Sequence, residues 1–147
     1  SAALGVAQMS RIEEIIAKRQ RVADMYAERL SKIPGVRLPY IAPEVTRMSW
    51  FVYVIRVGFD EPTPERQEAV RNHVMRCFQE NNIGCRPYFT PIHLQPFYRE
   101  LFGFKEGDFP ITELAGRTSI AIPFHNNLTK EEVDCVAEVL EEALRTA

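Results

Sequence analysis

The side chains best suited to chemistry crowd into residues 83–98, Ile-Gly-Cys-Arg-Pro-Tyr-Phe-Thr-Pro-Ile-His-Leu-Gln-Pro-Phe-Tyr. Arg86 offers a permanent, fork-shaped cation for a phosphate or carboxylate, and His93 can donate or accept near neutral pH. Tyr88 and Gln95 supply hydrogen-bonding ends suited to sugar hydroxyls. Pro87, Pro91 and Pro96 exclude a continuous helix and push Arg86, Thr90 and Gln95 into extended geometry. The stretch therefore reads as a stiff, shaped loop, the kind of segment that carries binding residues. His125, in the polar turn Pro-Phe-His-Asn-Asn, is a further substrate-binding candidate. Each assignment has a plainer rival: loop-internal hydrogen bonding for Arg86, Tyr88 and His93, bracing of the loop for Gln95, and capping of a strand end for His125.

Other chemistries find little to work with. His73, His93 and His125 are too far apart for a local metal signature, and no HExxH, phosphate-cradling Gly-rich loop or GxSxG elbow is present, so no metal is expected. Cys77, Cys85 and Cys135 are widely spaced without a CxxC pair and read as buried thiols. The net charge of −2, with both signs interspersed, gives no footprint for nucleic acid or an anionic membrane surface. No apolar run approaches the ~20 residues of a membrane-spanning helix, which makes a cytoplasmic setting the default.

The elements that must position the loop follow from periodicity. Over residues 11–30, Ile12, Ile15, Ile16, Val22, Met25, Tyr26 and Leu30 form an apolar stripe that predicts a long amphipathic helix, stopped by Pro34-Gly35. Residues 36–38 suit a short edge strand, and residues 50–57 a central strand dense in aromatic and β-branched side chains. Thr63-Pro64 caps a second helix through Phe78; short helices are expected over 96–102, ended by Gly103, and over 111–115 with Pro110 at the start. A strand at 119–122 and a last helix behind the Thr129-Lys130-Glu131-Glu132 capping box complete the chain. The order predicts an α+β domain, its helices packed on a small, mainly antiparallel sheet. With 147 residues, one domain suffices. Ser1-Ala2-Ala3-Leu4-Gly5 opens inside a helical pattern with no capping signal, so the chain reads as a piece of a longer protein.

The series Arg-Pro-Tyr-Phe-Thr-Pro-Ile-His-Leu-Gln-Pro-Phe-Tyr, then Gly103-Phe104, then Gly107-Asp108-Phe109-Pro110, resembles the small domain of the DegT/DnrJ/EryC1/StrS aminotransferases. The likeness runs from Ala2-Ala3-Leu4-Gly5-Val6-Ala7-Gln8-Met9 to Pro123-Phe124-His125 and the last helix, and its wording resembles the perosamine-synthase-like branch. That family implies pyridoxal-phosphate enzymes of aspartate-aminotransferase-like fold that aminate a keto sugar nucleotide, with glutamate as donor, in polysaccharide biosynthesis. It implies that the chain is a C-terminal small domain, 1–32 being a long connecting helix and 33–147 the α+β core, with the cofactor-binding large domain upstream. None of Lys18, Lys32, Lys105 and Lys130 resembles the family's cofactor lysine, so pyridoxal phosphate, and any catalytic residue, is expected only in the full-length enzyme. The resemblance further implies a homodimer with active sites between subunits, and a nucleotide-sugar substrate facing Arg86, Tyr88 and His93, with Gln95 and His125 beside them. A non-catalytic binding or regulatory protein built on the same domain is the alternative, and a self-associating module a third.

Overall fold

Burial alternates along the strand β2 (Tyr53–Val57): Tyr53, Ile55 and Val57 are sealed, while Val54 and Arg56 are half-exposed. One face is thus core and the other is not, as the period of two requires. The computed structural model describes residues 2–147. In it β2 lies inside a four-stranded antiparallel sheet of order β1-β2-β4-β3, with β1 (Val36–Arg37) and β3 (Arg86–Pro87) at the edges and β4 (Ser119–Ile122) within. The register sets Tyr53 against Ile122 and Ile55 against Ile120 on the core face. It sets Val54 against Ala121, and Arg56 against Ser119, on the other. The expected α+β architecture is the one observed.

Three helices cover the core face: α2 (Ile12–Leu30), α3 (Pro64–Glu80) and α6 (Lys130–Arg145). Val22, Tyr26 and Leu30 of α2, Val74 and Phe78 of α3, and Val133 and Leu140 of α6 join the strand residues in one apolar cluster. Each such side chain contributes roughly 1.5–3 kcal/mol when removed from water. The helix starts are written locally. Thr63 accepts from Arg66 N and Pro64 follows it, while Thr129 and Glu132 exchange side-chain and backbone bonds in a complete capping box.

The expected 1–32 helix is interrupted. α1 (Ala2–Met9) ends where Arg11 N–H turns to Gln8 O at 3.1 Å and the Ser10 hydroxyl takes Ala7 O at 2.9 Å, and α2 begins at Ile12. The expected helical start at Ser1 lies outside the described residues. The strand expected over 50–57 begins at Tyr53, because Trp50 takes a left-handed φ of 47°. Trp50 is nevertheless core: its ring stacks on Tyr53 at 5.4 Å and its indole N–H donates to Gln20.

Candidate functional site

The loop between α3 and β4 is extended for only two residues before its prolines turn it. Gly84 and Cys85 lead into β3, where Arg86 pairs with Ala121 and Pro87 with Ile120. Tyr88 N–H donates to Ser119 O at 3.3 Å, so the ladder continues one step past the assigned strand. Residues two apart share a face, so Arg86 and Tyr88 fall together on the half-exposed side of the sheet, beside Ala121 and Ser119. Arg86 is exposed, and Tyr88, half-buried, tilts against Phe89 with ring centroids 4.7 Å apart.

That face is cationic. Arg37 of β1 stands directly opposite Arg56 of β2, an arrangement of like charges that costs stability. Burial, then the neighbouring Arg37 charge, presses the basicity of Arg56 down. Arg56 Nε is satisfied by Thr118 Oγ1 at 3.1 Å, and the Arg37 guanidinium lies 4.1 Å from the centre of the Phe59 ring. Among the described residues none of Arg37, Arg56 and Arg86 has a carboxylate within salt-bridge reach. Arg37 and Arg56 went unnoticed in the sequence, although the alternation along 53–57 could have placed Arg56 opposite the buried face.

After Tyr88 the loop leaves the sheet and packs on α5 (Pro110–Thr118). Gly116 makes this possible, since a Cβ there would stand 2.8 Å from Pro91 Cδ. The one-turn 3-10 helix Ile92–Leu94 then carries His93 inward. His93 is 7% exposed and Glu113, on α5, 5%. His93 Nε2 lies 3.0 Å from Glu113 Oε1, and the same carboxylate accepts Gly107 N–H at 2.9 Å and Phe109 N–H at 3.3 Å, with Arg117 Nη1 3.7 Å away. The ring meets Phe109 edge-on at 4.8 Å and Phe104 at 6.3 Å. Its engaged nitrogen thus meets a buried carboxylate of α5, a partner outside the loop, rather than one within it. Glu113 was missed because nothing local marks it. A hint lay in the Gly107-Asp108-Phe109-Pro110 turn, whose backbone donors need an acceptor nearby.

Gln95 is exposed at the start of α4 (Pro96–Phe102); its carbonyl accepts Tyr98 N–H and Arg99 N–H, and its side chain makes no capping bond. His125 is exposed past the end of β4, with Nδ1 accepting Asn127 N–H at 3.3 Å. Arg19 and Arg21 of α2 grip the same turn through Asn126 and Leu128, and Tyr26 donates to Pro123 O at 2.8 Å. The five candidates therefore divide: Arg86 and Tyr88 share a face, His93 is buried against Glu113 of α5, and Gln95 and His125 stand apart at separate turns. No hydrogen bond joins any two of them among the described residues.

The chain's lysines do not fit a Schiff-base role. Lys18 pairs with Glu14 at 2.6 Å, Lys130 with Asp134 at 3.0 Å, and Lys32 and Lys105 are exposed. Cys85 is buried, which pushes its thiol up against the opposing charge of Arg86; Cys77 is half-buried and Cys135 exposed, and all three thiols are free. No cluster of three or more metal-ligating side chains occurs among the described residues, and no described helix is long and apolar enough to cross a membrane. Exposed apolar side chains include Leu4, Val6 and Met9 along α1, Phe97, Leu101 and Phe102 on α4 and Ile111 on α5, with others, Tyr40, Phe51 and Phe89 among them, spread over the connections.

The same arrangement of helices on a small antiparallel sheet occurs in a sugar aminotransferase fold. The putative sugar aminotransferase Spr1654 from Streptococcus pneumoniae, in its PMP-form, superposes with a TM-score of 0.84 at 23% identity, over 99% of this chain and 35% of that one. Residues 1–141 match the model of the DegT/DnrJ/EryC1/StrS aminotransferase family, and the chain belongs to that family. The Bacillus subtilis spore coat polysaccharide biosynthesis protein SpsC is 29% identical over 99% of this chain and 36% of its own length. The GDP-perosamine synthase of Caulobacter vibrioides is 31% identical over 97% of this chain and 36% of its own. The chain thus spans about a third of the length of the curated relatives it matches, as the 36% shares state.

Proposed function

We propose that this chain is the C-terminal small domain of a pyridoxal-phosphate aminotransferase that aminates a keto sugar nucleotide, with glutamate as the amino donor. The observation that carries the reading is the family match over residues 1–141, which includes the whole proline-stiffened loop. The relative named for GDP-perosamine favours a nucleotide-linked sugar and the perosamine-synthase-like branch. The cofactor and the lysine that binds it belong to the upstream domain, and no catalytic step is assigned to this chain.

In this reading the chain supplies one wall of the substrate cleft. Arg86 offers its guanidinium fork to the diphosphate, and Arg56 and Arg37 on the same face raise the local concentration of an anionic ligand. Tyr88 hydrogen-bonds the sugar, with Gln95 and His125 at the margins of the wall, and His93 contributes from behind. The uncompensated charge of the three arginines supports this, because a cationic surface retained despite cross-strand repulsion is suited to an anionic partner. The exposed apolar side chains of α1 and α4 suit contacts with the large domain and with a second subunit of a cytoplasmic homodimer. Neither nucleic acid nor membrane is a partner in this reading.

The test is expression of the natural full-length protein, followed by a search for the absorbance of bound cofactor and for amino transfer from glutamate to keto sugar nucleotides. Absence of both overturns the proposal. A non-catalytic binding protein built on the same domain is distinguished by its upstream sequence, which would lack a lysine in the family's cofactor context.

A further inference from the structure

Glu113 is more than a partner for one histidine. An ionised carboxylate only accepts hydrogen bonds, and Glu113 is kept ionised: burial pushes its carboxyl up, but the bonds from His93, Gly107 N–H and Phe109 N–H outweigh that and hold it below its ordinary value. His93 therefore keeps its proton on Nε2 in either charge state, and its ring plane is set between Glu113 and the edge-on rings of Phe104 and Phe109. Two places two residues apart fasten the loop to α5: Pro91 seated on Gly116, and His93 bonded to Glu113. On its other side the loop is fastened to β4 through Arg86, Pro87 and the Tyr88 amide. The segment that presents Arg86 and Tyr88 thus runs between a strand and a helix, and its helix end is held by the Pro91–Gly116 contact and by one buried carboxylate.

We propose that His93 and Glu113 are positioning residues, a carboxylate–imidazole clasp that fixes the aim of Arg86 and Tyr88 without touching the sugar nucleotide. The inference rests on the aminotransferase reading for its kinetic consequence but not for its structural one, and the experiment separates the two. In the natural full-length protein, Glu113→Ala and His93→Ala are each expected to raise the KM for the keto sugar nucleotide by about 10–100-fold. Turnover at saturation and the KM for the amino donor should change far less. His93→Gln, whose amide nitrogen sits where Nε2 does and can still donate to Glu113, should recover most of the loss. Hydrogen exchange of the peptide spanning residues 86–98 should quicken in both alanine variants and stay near wild type in His93→Gln.

Equal loss in His93→Gln and His93→Ala, with exchange near wild type in both, means that the ring itself touches substrate, and the proposal falls. An unchanged substrate KM in a variant that is merely less stable also overturns it. If wild type transfers no amino group, the aminotransferase reading has failed. The exchange arm then decides alone, and exchange unaltered in both alanine variants sinks the clasp. Should Glu113→Ala fail to fold, the His93 pair carries both arms.

Discussion

The two faces of the central sheet are made from the same strands, yet they are built to opposite rules. On the helix-covered face Tyr53, Ile55, Val57, Ile120 and Ile122 pack with α2, α3 and α6 in one apolar cluster, and none of these strand residues is charged. On the other, Arg37 and Arg56 stand opposed, Ser119 and Ala121 are small, and Arg86 waits at the edge. The first arrangement maximises burial, and the second tolerates repulsion. The difference teaches where stability is stored and where it has been given up to keep a cationic surface.

The sharpest way to break that contrast is to remove bulk from the covered face. Ile120→Ala should cost about 2–5 kcal/mol, because the cavity it leaves is walled by packed neighbours. Val54→Ala, on the half-exposed face, should cost much less; equal losses in urea unfolding would erase the distinction. Alkali tests the same face without mutation. Burial, and then the charge of Asp24, push the Tyr53 hydroxyl up to about 12. A phenol whose folded value is raised stabilises the fold fully below its unfolded value near 10, and that contribution is lost as pH climbs towards 12. Stability should therefore fall across that window in wild type and fall less steeply in Tyr53→Phe.

Gly116→Val probes the boundary between the faces. With Pro91 already where a Cβ would stand, the side chain must displace the loop, at about 1–3 kcal/mol. A crystal structure of the variant with the loop unmoved would contradict this. The smallest expected change in stability comes from Arg37→Gln. Relief of the repulsion with Arg56, of order 0.2–1 kcal/mol, is offset by a similar loss of the contact with Phe59, so unfolding should hardly shift while affinity for an anionic ligand drops. A clear loss of stability with unchanged affinity would make Arg37 a structural residue.

What the sequence revealed follows the range of the forces involved. Thr63-Pro64 and the Thr129–Glu132 box are local signals, and both helices start where those signals stand. Residues 119–122 are apolar enough to pair wherever the chain brings a partner, and they do. β3 was half legible: Pro87 marked Arg86 as extended, but its pairing depends on Ala121 and Ile120 lying alongside, more than thirty positions along the chain. The left-handed Trp50 was hidden for a related reason, since burial of its ring and the bond to Gln20 override the preference of its backbone. At the candidate site, stiffness and residue types were readable from the prolines, but direction was not. Whether His93 looks outward or inward is decided by Glu113, twenty positions along the chain, as the contact's separation shows.

The opening turns of α2 have a mechanical consequence. The helix is gripped by hydrogen bonds from Arg19 onward and sealed from Val22, whereas its first ~10 Å, Ile12 to Lys18, form an overhang in which Ile12, Ile15 and Ile16 are only half-buried. One exposed ion pair, Glu13 with Arg47 at 2.9 Å, steadies that overhang. Beyond it α1 has no buried residue, so the direction in which Leu4, Val6 and Met9 project is set through those opening turns.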